Sequence, residues 1–199
     1  MTALIDYSGA SYPIREDFTA SHDYCWNRLA APGTWLTGTQ RVAVAKEVRQ
    51  AQRCSLCRLR KEALSPYGVD GAHETVTDLS DVMVEVVHWI TTEPQRLTKA
   101  WFDGIMQRGL TEEEYVEILG TLGAVFQIDE FCRGIGAPLH GLPEPQPGEP
   151  SHYRPANAVR DVGRTLCAMS PGCPCCLGMV LSEPNRTCGR ATPAMWSAR

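Results

Sequence analysis

The 199-residue chain predicts an all-α fold, on three observations. Apolar residues recur at helical spacing through most of the first 134 positions, threonines stand where helix caps are needed, and almost no alternating strand pattern occurs. Residues 1–34 carry Pro13, Pro32 and Gly33 and no sustained period, so they predict an N-terminal arm with at most a short helix over Ser21–Ala30. Thr37 or Thr39 caps the next helix, expected over Thr39–Gln52, with Val42, Val44, Ala45 and Val48 on its apolar face. No glycine or proline lies between Arg41 and Leu64 to mark a break, and a second helix reaches Leu64 before Ser65-Pro66-Tyr67-Gly68 ends it. A polar loop containing His73 follows. Thr77 or Asp78 then caps a helix through Val82, Val86, Trp89 and Ile90. Beyond Glu93-Pro94 a further helix is expected over Leu97–Gln107, closed by Gly109. Thr111 with Glu114 reads as a capping box that opens a long helix, Glu112–Gly134, apolar around much of its circumference. From Pro138 the chain changes character. Residues 142–150 alternate with proline and cannot be helical, so 35–140 form the helical domain and 141–199 a proline-rich strap with an irregular, cysteine-rich tail.

A formal charge of -4 and a pI near 5.7 leave no basic stripe for phosphates, which argues against a nucleic-acid partner. No apolar run approaches the roughly 20 residues of a membrane span. Met1–Ala20 holds Asp6, Arg15, Glu16 and Asp17 where a signal peptide needs an apolar centre, so a cytoplasmic protein without a membrane partner is expected. The nine cysteines are odd in number and unevenly spread: Cys25, Cys54, Cys57 and Cys132, then five from Cys167 to Cys188. That is no disulfide framework. In a reducing compartment a lone Cys-x-x-Cys is more often redox-active or metal-binding than structural.

The stretch Gln40–Arg60 concentrates the chemistry. Seven residues, nearly two helical turns, separate Glu47 from Cys54, a spacing that on one continuous helix returns to the same face. Cys57 follows one turn later, and Arg53, Arg58 and Arg60 supply charge that favours thiolate over thiol. Cys54 and Cys57 are therefore the candidate redox pair and Glu47 the candidate general base. His88, between Val87 and Trp89, reads first as a core histidine and second as a relay partner of Glu47; His73 is the weaker candidate. Cys25 and Cys132 read as packing residues, Lys61 as surface, and Trp35, Trp89, Trp101 and Phe126 as core. Asp129 and Glu130 are expected to pair with Arg133 or with another subunit. The tail's Cys173-Pro174-Cys175-Cys176 would complete a four-thiolate zinc site with the first pair, but the 115 residues from 58 to 172 far exceed zinc-ribbon spacing. No metal and no cofactor are expected.

Two segments resemble the alkylhydroperoxidase D-like (carboxymuconolactone decarboxylase) superfamily. One is Leu36-Thr37-Gly38-Thr39-Gln40-Arg41-Val42-Ala43-Val44-Ala45 running into Cys54-Ser55-Leu56-Cys57. The other is Thr91-Thr92-Glu93-Pro94-Gln95-Arg96-Leu97-Thr98, then Gly109–Ile118, then Phe131-Cys132-Arg133-Gly134-Ile135-Gly136, similar to the peroxidase-related branch. The resemblance implies an alkylhydroperoxidase D-like helical bundle that forms a homo-oligomer, and the apolar residues on more than one face of the Glu112–Gly134 helix predict that helix as the interface. It implies an alkyl hydroperoxide reductase-type peroxidase in which Cys57 meets the peroxide, Cys54 resolves it as a disulfide, and an unidentified dithiol restores both. The family's glutamate, twelve residues before the first cysteine, is Val42 here, and its histidine, four after the second, is Lys61. A relay must therefore use Glu47 with His73 or His88. The alternatives are a non-catalytic metal-binding or assembly module, and a decarboxylase or isomerase of the same superfamily.

Overall fold

The computed structural model of the chain describes residues 5–154, and the expectations for the cysteine-rich tail lie outside the described residues. Six α-helices and no strand occur among them: α1 (Glu16–Ala30), α2 (Gly38–Ala51), α3 (Ser55–Glu62), α4 (Asp81–Thr92), α5 (Lys99–Gln107) and α6 (Glu112–Gly134). The all-α class is thus shown, and no described helix is long and apolar enough to cross a membrane.

Local chemistry sets most of the boundaries. Thr37 Oγ1 accepts from the Gln40 N–H while Gln40 returns its side-chain oxygen to the Thr37 N–H, and Thr111 and Glu114 do the same for α6. Helix α1 begins at Glu16 rather than near Ser21, with Glu16 and Asp17 in the first turn where carboxylates favour the helix dipole. Ser80, not Thr77 or Asp78, stands at the N-cap of α4, because the Thr77 hydroxyl is committed to Glu47 at 2.6 Å. A 3₁₀ turn, Pro94–Arg96, takes up the chain before α5, whose cap is Thr98.

Helix α2 lies at the centre and packs on α1, α4 and α6. Val44, Ala45 and Val48 of α2 meet Trp26 and Leu29 of α1, Val86 of α4, and Ile118, Val125 and Ile128 of α6 in one core, which Ile5 and Tyr7 join. Each large side chain so buried contributes roughly 1.5–3 kcal/mol. Because α2 is covered on several sides, a polar residue on it faces protein rather than water, and Glu47 is placed in that position. Helix α6 is not buried all round: Val116 is 64% and Phe126 37% exposed, while Leu119 is half-buried. Asp129 of α6 pairs with Arg49 of α2, not with Arg133, which takes Glu130.

The extended segment after α6 returns along the α1–α2 connection. The N–H groups of Gln146, Ser151 and His152 donate to the carbonyls of Ala30, Gly33 and Thr34 at 2.8, 3.1 and 2.9 Å. Gly38 is required there, since a Cβ would come within 2.3 Å of the Ala30 oxygen and 2.6 Å of the Gln146 oxygen.

Where this segment meets α1, His22 and His140 both approach Tyr7. Burial lowers the pKa of each histidine below its ordinary 6.5; for His140 the Asp6 and Asp129 carboxylates oppose the shift and the Arg49 guanidinium adds to it. The unfolded chain then binds protons that the folded one refuses, so stability is complete above pH 6.5 and falls as pH drops below it. Each histidine contributes a slope of at most about 1.4 kcal/mol per pH unit. The urea midpoint should decline as pH falls from about 6.5, before carboxylates titrate; His140→Gln should shallow that decline.

Candidate functional site

Helix α2 stops before the cysteine pair. Arg53 N–H bonds to the Gln50 carbonyl at 2.8 Å and Cys54 N–H to that of Ala51 at 3.3 Å, while Cys54 itself is extended (φ -65°, ψ 127°) and forms the N-cap of α3. The helix expected over Thr39–Gln52 and the second one reaching towards Leu64 are thus separate, with the break just before Cys54. The break is made at negative φ throughout, so neither glycine nor proline is needed to form it. As a result Glu47 and Cys54 do not share a helix face, and Cys54 sits where backbone N–H groups point outward.

Cys54 and Cys57 are free thiols only 1% and 2% exposed. Burial pushes the Cys54 pKa up, but N–H groups of Cys57 and Glu74, together with His73 and the Cys57 thiol, outweigh it and lower the value. Burial and the neighbouring Cys54 charge push Cys57 up to about 12. Of the two, Cys54 ionises first.

Glu47 is fully buried, and all its capacity as an acceptor is used. Oε1 accepts from the Thr75 hydroxyl at 2.6 Å, the Val76 N–H at 2.9 Å and the Thr77 hydroxyl at 2.6 Å; Oε2 accepts from His88 Nε2 at 2.9 Å. Burial would raise its pKa, yet these four donors prevail and hold it below the usual carboxylate value. Because His88 Nε2 carries the proton to Glu47, Nδ1 is bare and accepts from the Cys57 thiol at 3.3 Å. Burial lowers the His88 pKa against the pull of Glu47, and the ring is neutral.

The loop between α3 and α4 delivers a second imidazole. His73 Nδ1 lies 3.6 Å from Cys54 Sγ and 3.5 Å from Cys57 Sγ, and its Nε2 lies 3.1 Å from Arg60 Nη1 and 3.3 Å from Glu85 Oε2. Nε2 therefore has both a donor and an acceptor within reach, so either tautomer is satisfied. Burial raises the Glu85 pKa, but the bond from His73, the Arg60 charge and the Trp89 indole N–H at 2.7 Å bring it down to about 2.

The structure brings Glu47, Cys54, Cys57 and His88 together, and it adds His73, which the polarity of its loop had placed last. Arg60 was read only as general positive charge near the thiols and Thr77 only as a helix cap, while Glu85 and Thr75 carried no local signal beyond the three-residue spacing of Glu85 and His88 on α4. Cys25 is half-buried, and Cys132 is buried beside Tyr7 in the core rather than at the site. A cleft of about 520 Å³ is lined by Cys54 and Cys57 together with Arg53, Arg58, the exposed Lys61, Thr92 and Phe126. Phe126 thus lines a cleft instead of filling the core. No protein-family model, curated protein or solved structure matches the chain.

Proposed function

We propose that the protein is a thiol-dependent peroxidase that reduces organic hydroperoxides at Cys54 and Cys57. The observation that carries this reading is the hydrogen-bonded line from Glu47 through His88 to Cys57, ending beside a second cysteine at an open cleft. Roles follow from the proton positions. The resemblance gives the attack to Cys57, but the bare His88 Nδ1 is placed to take a proton from Cys57, and backbone N–H groups favour a thiolate at Cys54. In the proposed order the Cys54 thiol gives its proton to His73 Nδ1, 3.6 Å away, the thiolate attacks the distal peroxide oxygen, the O–O bond breaks, and the same proton passes from His73 to the leaving alkoxide. The products are a Cys54 sulfenic acid and an alcohol. Cys57 then passes its proton to His88 and attacks the Cys54 sulfur; hydroxide leaves and takes that proton as water. Two electrons have moved from two sulfurs to one peroxide, and an external dithiol must return them. Self-association through the exposed Val116 and Phe126 face of α6 belongs to the same proposal.

Stopped-flow mixing of chelator-treated protein with cumene hydroperoxide tests it. Two thiols per chain should be lost, Cys54→Ser should be inert, and Cys57→Ser should stop at a sulfenic acid that dimedone traps on Cys54. Trapping on Cys57 in the Cys54→Ser variant would restore the order the resemblance implies, and wild-type thiols indifferent to hydroperoxide would end the peroxidase reading.

A further inference from the structure

We propose that Cys54, Cys57, His73 and His88 form a tetrahedral zinc site, and that the bound ion holds the cysteine pair in its reduced state. One atom from each residue, two sulfurs and two imidazole nitrogens, falls within 4.8 Å of all the others. With Zn–S near 2.3 Å and Zn–N near 2.0–2.1 Å, a tetrahedral centre requires S···N edges of about 3.6 Å. Three of the four S···N distances here are 3.3, 3.5 and 3.6 Å, and the fourth lies within 4.8 Å. The rings of His73 and His88 stand 4.3 Å apart and tilted by 54°, so they are not stacked on one another.

The outer partners are those a zinc site uses. A ligating histidine gives its other ring N–H to a carboxylate, which fixes the tautomer and raises its basicity. His88 does so here, with Nε2 facing Glu47 at 2.9 Å, and His73 Nε2 has the Glu85 carboxylate within reach at 3.3 Å, beside Arg60 Nη1 at 3.1 Å. Two thiolates with two imidazoles in a closed, buried cluster suit zinc rather than magnesium or calcium, which take oxygen ligands. This set differs from one completed by the tail cysteines, since all four ligands come from α3, α4 and the loop between them.

The ion and a disulfide cannot share the two sulfurs. Oxidation of the loaded site by a hydroperoxide joins Cys54 to Cys57, consumes two protons, gives alcohol and water, and frees the zinc ion. The metal would thus guard the thiols until peroxide arrives; this gating, unlike the site itself, rests on the peroxidase reading.

Anaerobic titration of the reduced, chelator-treated full chain with cobalt(II) reads the site directly. One equivalent should give the thiolate-to-cobalt band and the ligand-field bands of four-coordinate cobalt, and zinc should bleach both. His73→Ala should lose them while keeping its far-ultraviolet circular dichroism, Glu85→Gln should weaken affinity about 10–100-fold, and Cys173→Ser/Cys175→Ser/Cys176→Ser should leave them intact. Absence of the bands from wild type, or their loss in the tail variant with retention in His73→Ala, overturns the site. Peroxidase activity of the chelator-treated protein is the separate arm. Cobalt binding without thiol oxidation removes the enzyme and leaves the metal, and thiol oxidation without cobalt binding does the reverse. With both present, zinc-loaded protein should release its ion to a chromophoric chelator on adding peroxide, and retention through disulfide formation overturns the gating.

Discussion

Glu47→Gln should leave a folded protein in which the Cys54–Cys57 disulfide closes about 10²–10⁴-fold more slowly than in wild type. The amide matches the carboxylate in size, and its oxygen can still accept from Thr75, Val76 and Thr77. Its NH₂ group must then face His88 Nε2, which now carries a proton directed at Glu47 Oε2 over 2.9 Å. Two donors cannot face each other in a dry site, so the imidazole moves its proton to Nδ1 and Nε2 becomes the acceptor. Nδ1 is the atom that meets Cys57, and once protonated it has no lone pair for the thiol proton. Sulfenic acid on Cys54 should accumulate and react with dimedone, while the urea midpoint changes little. Disulfide closure at the wild-type rate would remove the relay from the mechanism.

The largest stability loss is expected at a site away from the cysteines. Asp129 of α6 is buried and accepts from Arg49 Nε at 2.9 Å and Nη2 at 2.7 Å, and the same Nη2 donates to the His140 carbonyl at 2.9 Å. One guanidinium thereby ties α2 to α6 and to the segment that follows it, while its carbon lies 5.8 Å from the Trp26 ring of α1. Asp129→Ala strands the guanidinium among apolar neighbours, a change that costs about 3–5 kcal/mol when the pair is fully buried. Arg49 keeps some access to water, so a loss near the lower figure is expected. Urea unfolding followed by tryptophan fluorescence should show it; a loss below about 1 kcal/mol would mean that the pair behaves as a surface ion pair.

The helices were legible because their signals are local. Thr111 and Glu114 bond within one turn of each other, and the long helix they open spans the residues that the apolar pattern marked. Helices on either side of Cys54 were legible but the bend between them carried no mark, because a bend made at negative φ can be built from Gln52 and Arg53 as readily as from glycine. Glu47 and the Cys54–Cys57 pair stood out by composition and spacing, yet the reason for their proximity was different: Glu47 reaches Cys57 through His88 of α4, forty-one positions further along. His73 had least to recommend it, since its role depends on where a loop without regular structure is fastened.

Beyond the contacts of His73 with Arg60 and Glu85, that fastening rests on one oxygen. Thr75, Val76 and Thr77 all bond to Oε1 of Glu47, and they form the middle of the irregular span that carries His73 over the sulfurs. Bonds that share one acceptor are lost together, so this span is held as a unit that opens at a free energy of its own, below that of the whole bundle. Glu47 thereby governs reagent access to the thiols as well as their protonation. The rate at which large, bulky electrophiles label Cys54 is then a property of loop opening, while small ones entering by the cleft report the sulfur itself.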